Sequence, residues 1–286
     1  MSTTDTSTAY NLGCNQGKSD AGVSPHRNSE VVIDFGGEDD NSGDTRLING
    51  VYAKVSDIEA AAVQFADGYW VCTGSDSTSV MQLGVGTSNS WVGSYQPSYS
   101  SGQSWANIVK SVQNTVNANG WESQVDVIGA SDIEPGFSSY SAAYNWIQGY
   151  TSVDPAHYLD YGSADGCSTT SNNPHGGCNN SWIMDNVWWV SWGAAPALAI
   201  PEIYCSAQAS QWTEIALDGV QYHGGSVWYD GPWDQYDLDY NTNTSNQAWS
   251  QFWGDLNNQS STAQTPKYSA EIHWENGATN QSTQGC

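Results

Sequence analysis

Short apolar runs that end in an acidic residue or glycine, and that alternate with helix-forming segments, most constrain the fold of this chain. Residues 31–36 and 125–130 are such runs, and both have the continuous apolar character of a strand buried in a parallel sheet. Between them, residues 104–117 carry apolar side chains at helical spacing. The alternation predicts an α/β fold with a parallel sheet.

The remaining pattern supplies the other predicted elements. Strands are expected at residues 69–73, 81–85, 158–162, 187–193, 200–205, 219–224 and 269–274. Helices are expected at 56–65, where Ser56 and Glu59 suggest a capping box, and at 139–149, 208–217 and from Ser245 onward.

Seven or eight core strands in a chain of 286 residues predict a (β/α)8-type TIM barrel. An open doubly wound sheet is the alternative, although no GxGxxG follows the first strand to support its nucleotide-binding version. We expect residues 1–30 to form an irregular N-terminal arm, 31–260 the barrel, and 261–286 a C-terminal extension packed on it.

A strongly acidic composition limits the partners. Lys and Arg total 6 against 30 Asp and Glu, for a formal charge of −24. A field of this sign repels phosphate backbones and anionic membrane surfaces, so nucleic acid is not an expected partner. A neutral or cationic ligand is more compatible, and solubility outside the cell is the simpler explanation of the charge.

Six cysteines without a CxxC pair favour disulfides over a structural zinc site. Cys167 and Cys178 flank a polar loop and are predicted to pair, which fits an oxidising compartment. The pairing of the other four stays open; one arrangement is Cys14 with Cys72, which leaves Cys205 with Cys286. We expect a secreted monomer without membrane insertion, whose export signal lay upstream of residue 1.

Acidic residues at predicted strand ends are the candidate catalytic groups, because barrel enzymes place their chemistry at the carboxyl ends of strands. Asp132 and Glu134 lie two residues apart and would share one face of a strand. Two neighbouring carboxylates raise each other's pKa, so one can stay protonated as a general acid. Asp34 or Asp160 could complete the set, although either one could also serve only to bond loop amides.

Glu202 is a further acid that the pattern argues against. It begins its predicted strand, at residues 200–205, and would therefore lie near the opposite end of the barrel.

Aromatic side chains form a second group, because their faces stack on sugar rings. Residues 187–193 and 158–162 carry several, with core packing as the simpler interpretation, and the polar segment 228–240 carries more. The candidate substrate-binding residues, including the lone His223 after the last predicted strand, are Trp189, Trp192, Tyr204, Tyr161, His223, Trp228 and Trp233.

No cofactor is expected, with calcium as one possible exception. The acidic segments 38–44 and 230–239 could offer oxygen ligands to calcium, but neither has EF-hand spacing, and solvated loops are the alternative. HExxH and GxSxG are both absent from the sequence, so neither a zincin nor a serine hydrolase has motif support.

The strand-borne D-x-E of residues 127–134, the acid after "VVI" at Asp34 and the "PEIY" of residues 201–204 resemble the muramidase-type barrel glycoside hydrolases of family 25. That resemblance implies Asp34, Asp132 and Glu134 as site acids, with Glu134 as the proton donor. "VVIDFGG", "GASDIE" and "YGSADGC" more closely resemble a group of secreted actinobacterial and Chloroflexi-type barrel proteins with no established activity.

These observations together predict an extracellular glycoside hydrolase that cleaves a neutral or amino-sugar polysaccharide with a carboxylate pair. A non-catalytic carbohydrate- or cell-wall-binding barrel protein is the alternative from another class. An inhibitor or interaction module on a barrel is a third.

Overall fold

A computed structural model describes most of the chain: residues 1–23, 25, 27–39, 42–74, 76–90, 96–156, 158–170, 175–234, 243–268 and 270–271. The chain divides into two compact units. The first comprises Met1–Ala130 and Asn145–Tyr158, and the second comprises Ser131–Tyr144 and Leu159–Cys286. The predicted boundaries at residues 30 and 260 stay predictions.

Seven α-helices lie in the described residues: α1 (Thr6–Ala21), α2 (Val55–Cys72), α3 (Tyr99–Ala118), α4 (Tyr140–Val153), α5 (Met184–Trp188), α6 (Ser206–Tyr222) and α7 (Ser245–Asn257). A 3-10 helix covers Asn179–Ser181, and a π-helix covers Trp189–Gly193. The strands are β1 (Ser29–Asp34), β2 (Gly37–Asp39), β3 (Asp44–Arg46), β4 (Tyr52–Ala53), β5 (Met81–Ser88), β6 (Val125–Asp132), β7 (Tyr158–Asp160), β8 (Ala197–Ala199), β9 (Trp233–Asp234) and β10 (Ala270–Glu271).

The fold is mixed α/β with a central parallel sheet, as predicted. Five strands run in the order β1-β5-β6-β7-β8, and helices occupy most of the connections between them. Beyond β8, parallel bridges join Ala199 to Tyr229 and Glu202 to Trp233, and β9 pairs in parallel with β10. A separate antiparallel sheet contains β2, β3 and β4. An eightfold barrel stays a prediction.

The strongest sequence patterns became the expected elements. Helix α3 begins after Ser98, whose hydroxyl accepts the backbone N–H of Ser101 in a capping box, and it buries its apolar face. Strand β6 buries the apolar side chains of residues 127, 128 and 130. In both elements, the residues that form the backbone hydrogen bonds of the helix or strand also bury its apolar side chains. Local pattern and tertiary packing therefore agree, and the sequence predicts both elements correctly.

Three predicted strands are helical instead. Residues 187–193 form the end of α5 and the π-helix, residues 219–222 continue α6, and residues 69–72 end α2. Val187 and Val190 are buried three residues apart, and the Ser191 hydroxyl bonds the Val187 carbonyl one turn back at 2.8 Å. Short runs rich in Val and Trp suit a buried strand or a buried helix equally, so composition alone misassigned them.

The predicted irregular arm contains a helix. Asp5 caps α1 by accepting the backbone N–H of Thr8 at 2.7 Å. Gly13 and Gly68 allow α1 and α2 to approach closely: a Cβ on Gly13 would lie 1.9 Å from the Phe65 carbonyl oxygen, and one on Gly68 would lie 2.1 Å from that of Tyr10. Gly13, within the segment predicted to be irregular, therefore serves helix packing.

Helix α2 also begins differently from the prediction. It starts at Val55 after Lys54, and Lys54 makes no side-chain capping bond, so the predicted capping box at Ser56 and Glu59 is not formed.

The predicted Cys167–Cys178 disulfide is present, and the structure also shows one pairing that the sequence left open. Cys14 in α1 is bonded to Cys72 at the end of α2, and Cys167 is bonded to Cys178 in the second unit. Cys205 is also disulfide-bonded, and its predicted partner, Cys286, lies outside the described residues. The disulfides are consistent with a secreted protein. No helix among the described residues has both the length and the hydropathy needed to cross a membrane.

The close approach of α1 and α2 yields the first prediction. We expect Gly13→Ala to lower the free energy of unfolding by about 1–3 kcal/mol, because the new methyl group must displace backbone. Gly254→Ala is the matched control: Gly254 lies in α7 with nothing within 4 Å of an added Cβ. It should stabilise by about 0.5–1 kcal/mol. Urea denaturation measures both, and equal effects would contradict the close packing.

Candidate active site

Strand β6 delivers the first two acids of the site. Its last residue, Asp132, is half-buried, and Glu134 follows two residues later with 4% of its surface exposed. The Ser131 carbonyl accepts the backbone N–H of Tyr161 at 3.1 Å, which ties this end of β6 to the chain that follows β7. Asp132 and Glu134 therefore lie at the carboxyl edge of the sheet, as predicted.

Glu202 lies at the same edge, which corrects the sequence interpretation. The strand is β8, at Ala197–Ala199, so Glu202 follows its strand rather than beginning it. Parallel pairing continues past the strand ends: Ile200 donates to the Asp160 carbonyl at 2.9 Å, and Glu202 donates to the Gly162 carbonyl at 3.2 Å. The short Ala-Leu-Ala strand lacked the β-branched residues that would have marked it.

Three carboxylates thus meet in one cluster, here called the acidic cluster: Asp132, Glu134 and Glu202. Each offers a carboxylate oxygen, and these oxygens all lie within 4.8 Å of one another. All three belong to the second unit. So close a set of acids is costly to ionise together, because each charge repels the others where little water screens them.

Burial raises the pKa of both Glu134 and Glu202. Burial, and next the charge of Asp165, raises the pKa of Glu134 to about 8. The backbone N–H of Ser163 donates to Glu134 Oε1 at 3.2 Å and partly offsets that rise. Burial, followed by the charges of Glu134 and Asp132, holds the pKa of Glu202 well above its usual range. At neutral pH the pair therefore retains a proton.

Buried aromatic residues border the acidic cluster. The Tyr204 hydroxyl donates to Glu202 Oε1 at 2.9 Å. The Trp233 ring lies 6.0 Å from that of Tyr204 and 6.1 Å from that of Tyr161, and its indole N–H donates to the Tyr161 carbonyl at 2.8 Å. These three predicted binding residues are brought together, and Tyr204 orients Glu202.

Neither of the other two predicted acids is a member of this cluster. Asp160 is fully buried, accepts the Ser191 hydroxyl at 2.6 Å, and is held as a hydrogen-bonded core carboxyl. Asp34 ends β1 in the first unit, where its Oδ1 accepts the backbone N–H of Gly36 at 2.6 Å. These hydrogen bonds of Asp160 and Asp34 are the ones expected of a carboxyl group with a structural role.

The remaining aromatic candidates are dispersed. Trp189 stacks on Tyr144 with ring centroids 4.7 Å apart, and Trp192 is half-buried in the same π-helix. Trp228 is 57% exposed at the surface. His223 belongs to a different cluster of acids and histidines, described below.

The predicted calcium loops lie partly outside the described residues, which omit 40–41 and 235–242. Within the described part of the chain, two groups of side chains have the spacing of cation ligands: the acidic cluster, and His175 with Asp185 and Asp218. Neither group includes a residue of those loops.

Comparison with known proteins gives no relative for this chain. No protein-family model, curated protein or solved structure matches it.

The pH dependence of folding stability tests the raised pKa of Asp160. Burial raises its pKa from 3.8 to about 7. Between those pH values the folded state holds a proton that the unfolded state has released, so stability declines by up to about 1.4 kcal/mol per pH unit. We expect Asp160→Asn to make that decline shallower between about pH 4 and pH 7.

Urea denaturation across this pH range measures the slope. Asp126→Asn is the control, because Asp126 is an exposed acid on β6. A slope unchanged in Asp160→Asn, or changed equally in both variants, would contradict the assignment of a protonated, buried Asp160.

Proposed function

We propose that the protein is a secreted glycoside hydrolase whose acid–base chemistry resides in the acidic cluster. The observation that carries the proposal is a buried carboxyl with a pKa of about 8, Glu134, within 4.8 Å of two further carboxylates. Glycosidic bond cleavage needs one protonated and one ionised carboxyl group flanking the bond. A pair that retains one proton at neutral pH supplies both.

Glu134 is assigned as the general acid. Its raised pKa keeps it protonated at neutral pH, ready to protonate the departing glycosidic oxygen. Burial raises the pKa of Glu202 as well, so its assignment as the nucleophile rests on the Tyr204 hydroxyl, which donates to it and favours its ionised form when Glu134 holds the proton of the pair. Asp132 adds negative charge beside both, which raises the pKa of Glu202 and would favour an oxocarbenium-like transition state.

The spacing of the carboxylates supports retention of configuration. Retaining enzymes hold their two carboxyl groups about 5–5.5 Å apart, whereas inverting enzymes hold them about 6.5–9.5 Å apart to admit a water molecule. Oxygens within 4.8 Å of one another fit the first arrangement.

A barrel scaffold for this site is part of the proposal. The parallel order β1-β5-β6-β7-β8 is followed by parallel bridges to residue 229 and to β9, and β9 pairs with β10. Consecutive parallel strands separated by helices are how a (β/α) barrel is built. The acids after β6 and β8 would then stand at its catalytic face.

The proposed substrate is a neutral or amino-sugar polysaccharide. A formal charge of −24 disfavours anionic polymers. The exposed Trp228 supports a second candidate, non-catalytic carbohydrate binding, because an exposed indole face can stack on a sugar ring.

Substitution of either acid tests the enzyme proposal. On a panel of neutral and amino-sugar polysaccharides, we expect reducing ends to be released by the wild type. Glu134→Gln and Glu202→Gln should each lower kcat by about 10²–10⁴. The matched control is Glu122→Gln, since Glu122 is an exposed acid of the first unit.

Loss of activity in Glu122→Gln as well, or none in Glu134→Gln, would overturn the proposal. A wild type that binds a glycan without cleaving any member of the panel would support the binding candidate instead.

Azide separates the two roles. In Glu202→Gly, azide would enter the space of the lost nucleophile and displace an activated leaving group, giving a glycosyl azide of inverted configuration. In Glu134→Ala, azide would attack the glycosyl–enzyme ester at Glu202 and give the retained product. Proton NMR of the anomeric centre distinguishes them, and the reverse stereochemistry would exchange the assignments.

Tyr204 is proposed as a positioning residue for Glu202. Removal of its hydroxyl in Tyr204→Phe takes away a donor that favours the ionised nucleophile, so the pKa of Glu202 should rise. We expect the acidic limb of the pH profile of kcat/KM to move to higher pH. A fall in activity at every pH with an unmoved limb would indicate only a packing role.

A further inference from the structure

A second cluster of ionisable side chains lies in the same unit and takes no part in the proposed hydrolysis. It contains two histidines and two aspartates: His175, Asp185, Asp218 and His223. His175 lies in the loop closed by the Cys167–Cys178 disulfide, Asp185 in the first turn of α5, and the other two near the end of α6. We call this group the His/Asp cluster.

The ring nitrogens of both histidines face both carboxylates. His175 Nδ1 lies 2.6 Å from Asp185 Oδ2 and 3.8 Å from Asp218 Oδ1. His223 Nε2 lies 3.0 Å from Asp185 Oδ1 and 3.4 Å from Asp218 Oδ2. His175, Asp185 and Asp218 each place a ligand atom within 4.8 Å of the other two, and His223 faces the remaining oxygens of both carboxylates.

A second observation points to a ligand rather than to ion pairing alone. The Asp218 side chain is only 2% exposed, yet its Oδ2 makes no hydrogen bond within the described part of the chain. His223 Nε2 likewise makes none there, although carboxylate oxygens lie 3.0 and 3.4 Å away. A buried carboxylate oxygen that is left without a hydrogen bond is a candidate ligand for a cation.

The surrounding structure orients these side chains. The Trp188 indole stacks on the His223 ring at 4.0 Å and 14°, and Tyr222 lies against His175 with ring centroids 4.1 Å apart. The backbone N–H of His175 donates to Asp218 Oδ1 at 3.3 Å, which leaves Oδ2 directed toward His223. Such outer contacts are what fix the direction of metal ligands.

We propose that the His/Asp cluster binds a zinc-type divalent cation through His175, Asp185 and Asp218, each of which offers a ligand atom within 4.8 Å of the other two. In a tetrahedral site with bonds of about 2.1 Å, ligand atoms stand about 3.4 Å apart. The two distances from His175 Nδ1, 2.6 Å to Asp185 Oδ2 and 3.8 Å to Asp218 Oδ1, lie on either side of that value.

The donor set selects the cation. Imidazole nitrogens suit zinc and its transition-metal neighbours, whereas calcium and magnesium prefer oxygen alone. These three residues hold the cation, and His223 Nε2, which lies 3.0 Å from Asp185 Oδ1 and 3.4 Å from Asp218 Oδ2, orients the two carboxylates. The cation would join the disulfide-closed loop to α5 and α6.

Exposure permits metal exchange with solvent. The side chains of His175, His223 and Asp185 are 46%, 23% and 21% exposed, while Asp218 forms the buried floor. The site can therefore be emptied and refilled without unfolding, and it stands independently of the proposed hydrolase activity.

Calorimetric titration of the chelator-treated whole protein with ZnCl₂ tests the proposal. We expect one zinc ion per chain and a higher Tm in its presence. His223→Ala, Asp218→Asn and His175→Ala should each weaken zinc binding at least about tenfold. CaCl₂ should bind at least tenfold more weakly than ZnCl₂ at this site.

Two matched controls locate the zinc. Glu214→Gln removes a carboxylate one turn earlier on α6, outside the His/Asp cluster, and should bind as the wild type does. Glu134→Gln alters the acidic cluster and should also leave zinc binding unchanged. Zinc binding lost in Glu134→Gln but kept in His223→Ala would move the site to the acidic cluster and overturn the proposal.

Cobalt provides a readout that does not depend on stability. Co²⁺ in a tetrahedral nitrogen–oxygen site has intense visible absorption, which should appear in the wild type and in Glu214→Gln. It should disappear in His175→Ala, whose largely exposed side chain is the least disruptive to remove. No zinc binding by the wild type, or a cobalt spectrum unchanged in His175→Ala, would refute the site.

Discussion

Parallel backbone pairing beyond the ends of β6, β7 and β8 is the constraint on which the site depends. The bonds from Tyr161 to Ser131 and from Glu202 to Gly162 continue the sheet just where the chain leaves its strands. They hold the segments that carry Glu134 and Glu202 side by side at one edge. Without that pairing, two acids 68 residues apart would separate to reduce their repulsion.

Burial of these acids carries a free-energy cost, which other interactions of the second unit offset. Glu134 and Glu202 are buried, and their raised pKa values reflect the cost of ionising a carboxyl group away from water. Backbone and hydroxyl donors from Ser163 and Tyr204 offset part of it. Residues with strongly shifted pKa values are commonly found in active sites, which is the physical basis of the proposed function.

The two clusters of the second unit offset the repulsion between neighbouring carboxylates in different ways. The acidic cluster has only oxygen atoms and retains a proton, which suits proton transfer. In the His/Asp cluster, imidazole nitrogens stand between Asp185 and Asp218, which suits a cation held by mixed donors. Burial of like charges is thus the basis of the proposed acid chemistry in one place and of the proposed metal in the other.

The sequence by itself determined the α/β class, helix α3, strand β6 and the placement of Asp132 and Glu134 at a strand end, because in these segments periodicity, caps and apolar burial agree. Only the tertiary structure decided the partner of Glu134. Glu202 follows a strand of three residues whose Ala-Leu-Ala sequence has no strand signature, and its position depends on pairing with a segment 40 residues earlier. The His/Asp cluster was equally hidden, because its members meet through the packing of α5, α6 and a disulfide loop rather than through spacing along the chain. The residue pattern of a short segment reflects the conformational preferences of that segment. Sites built from distant segments depend on long-range contacts, which no local pattern predicts.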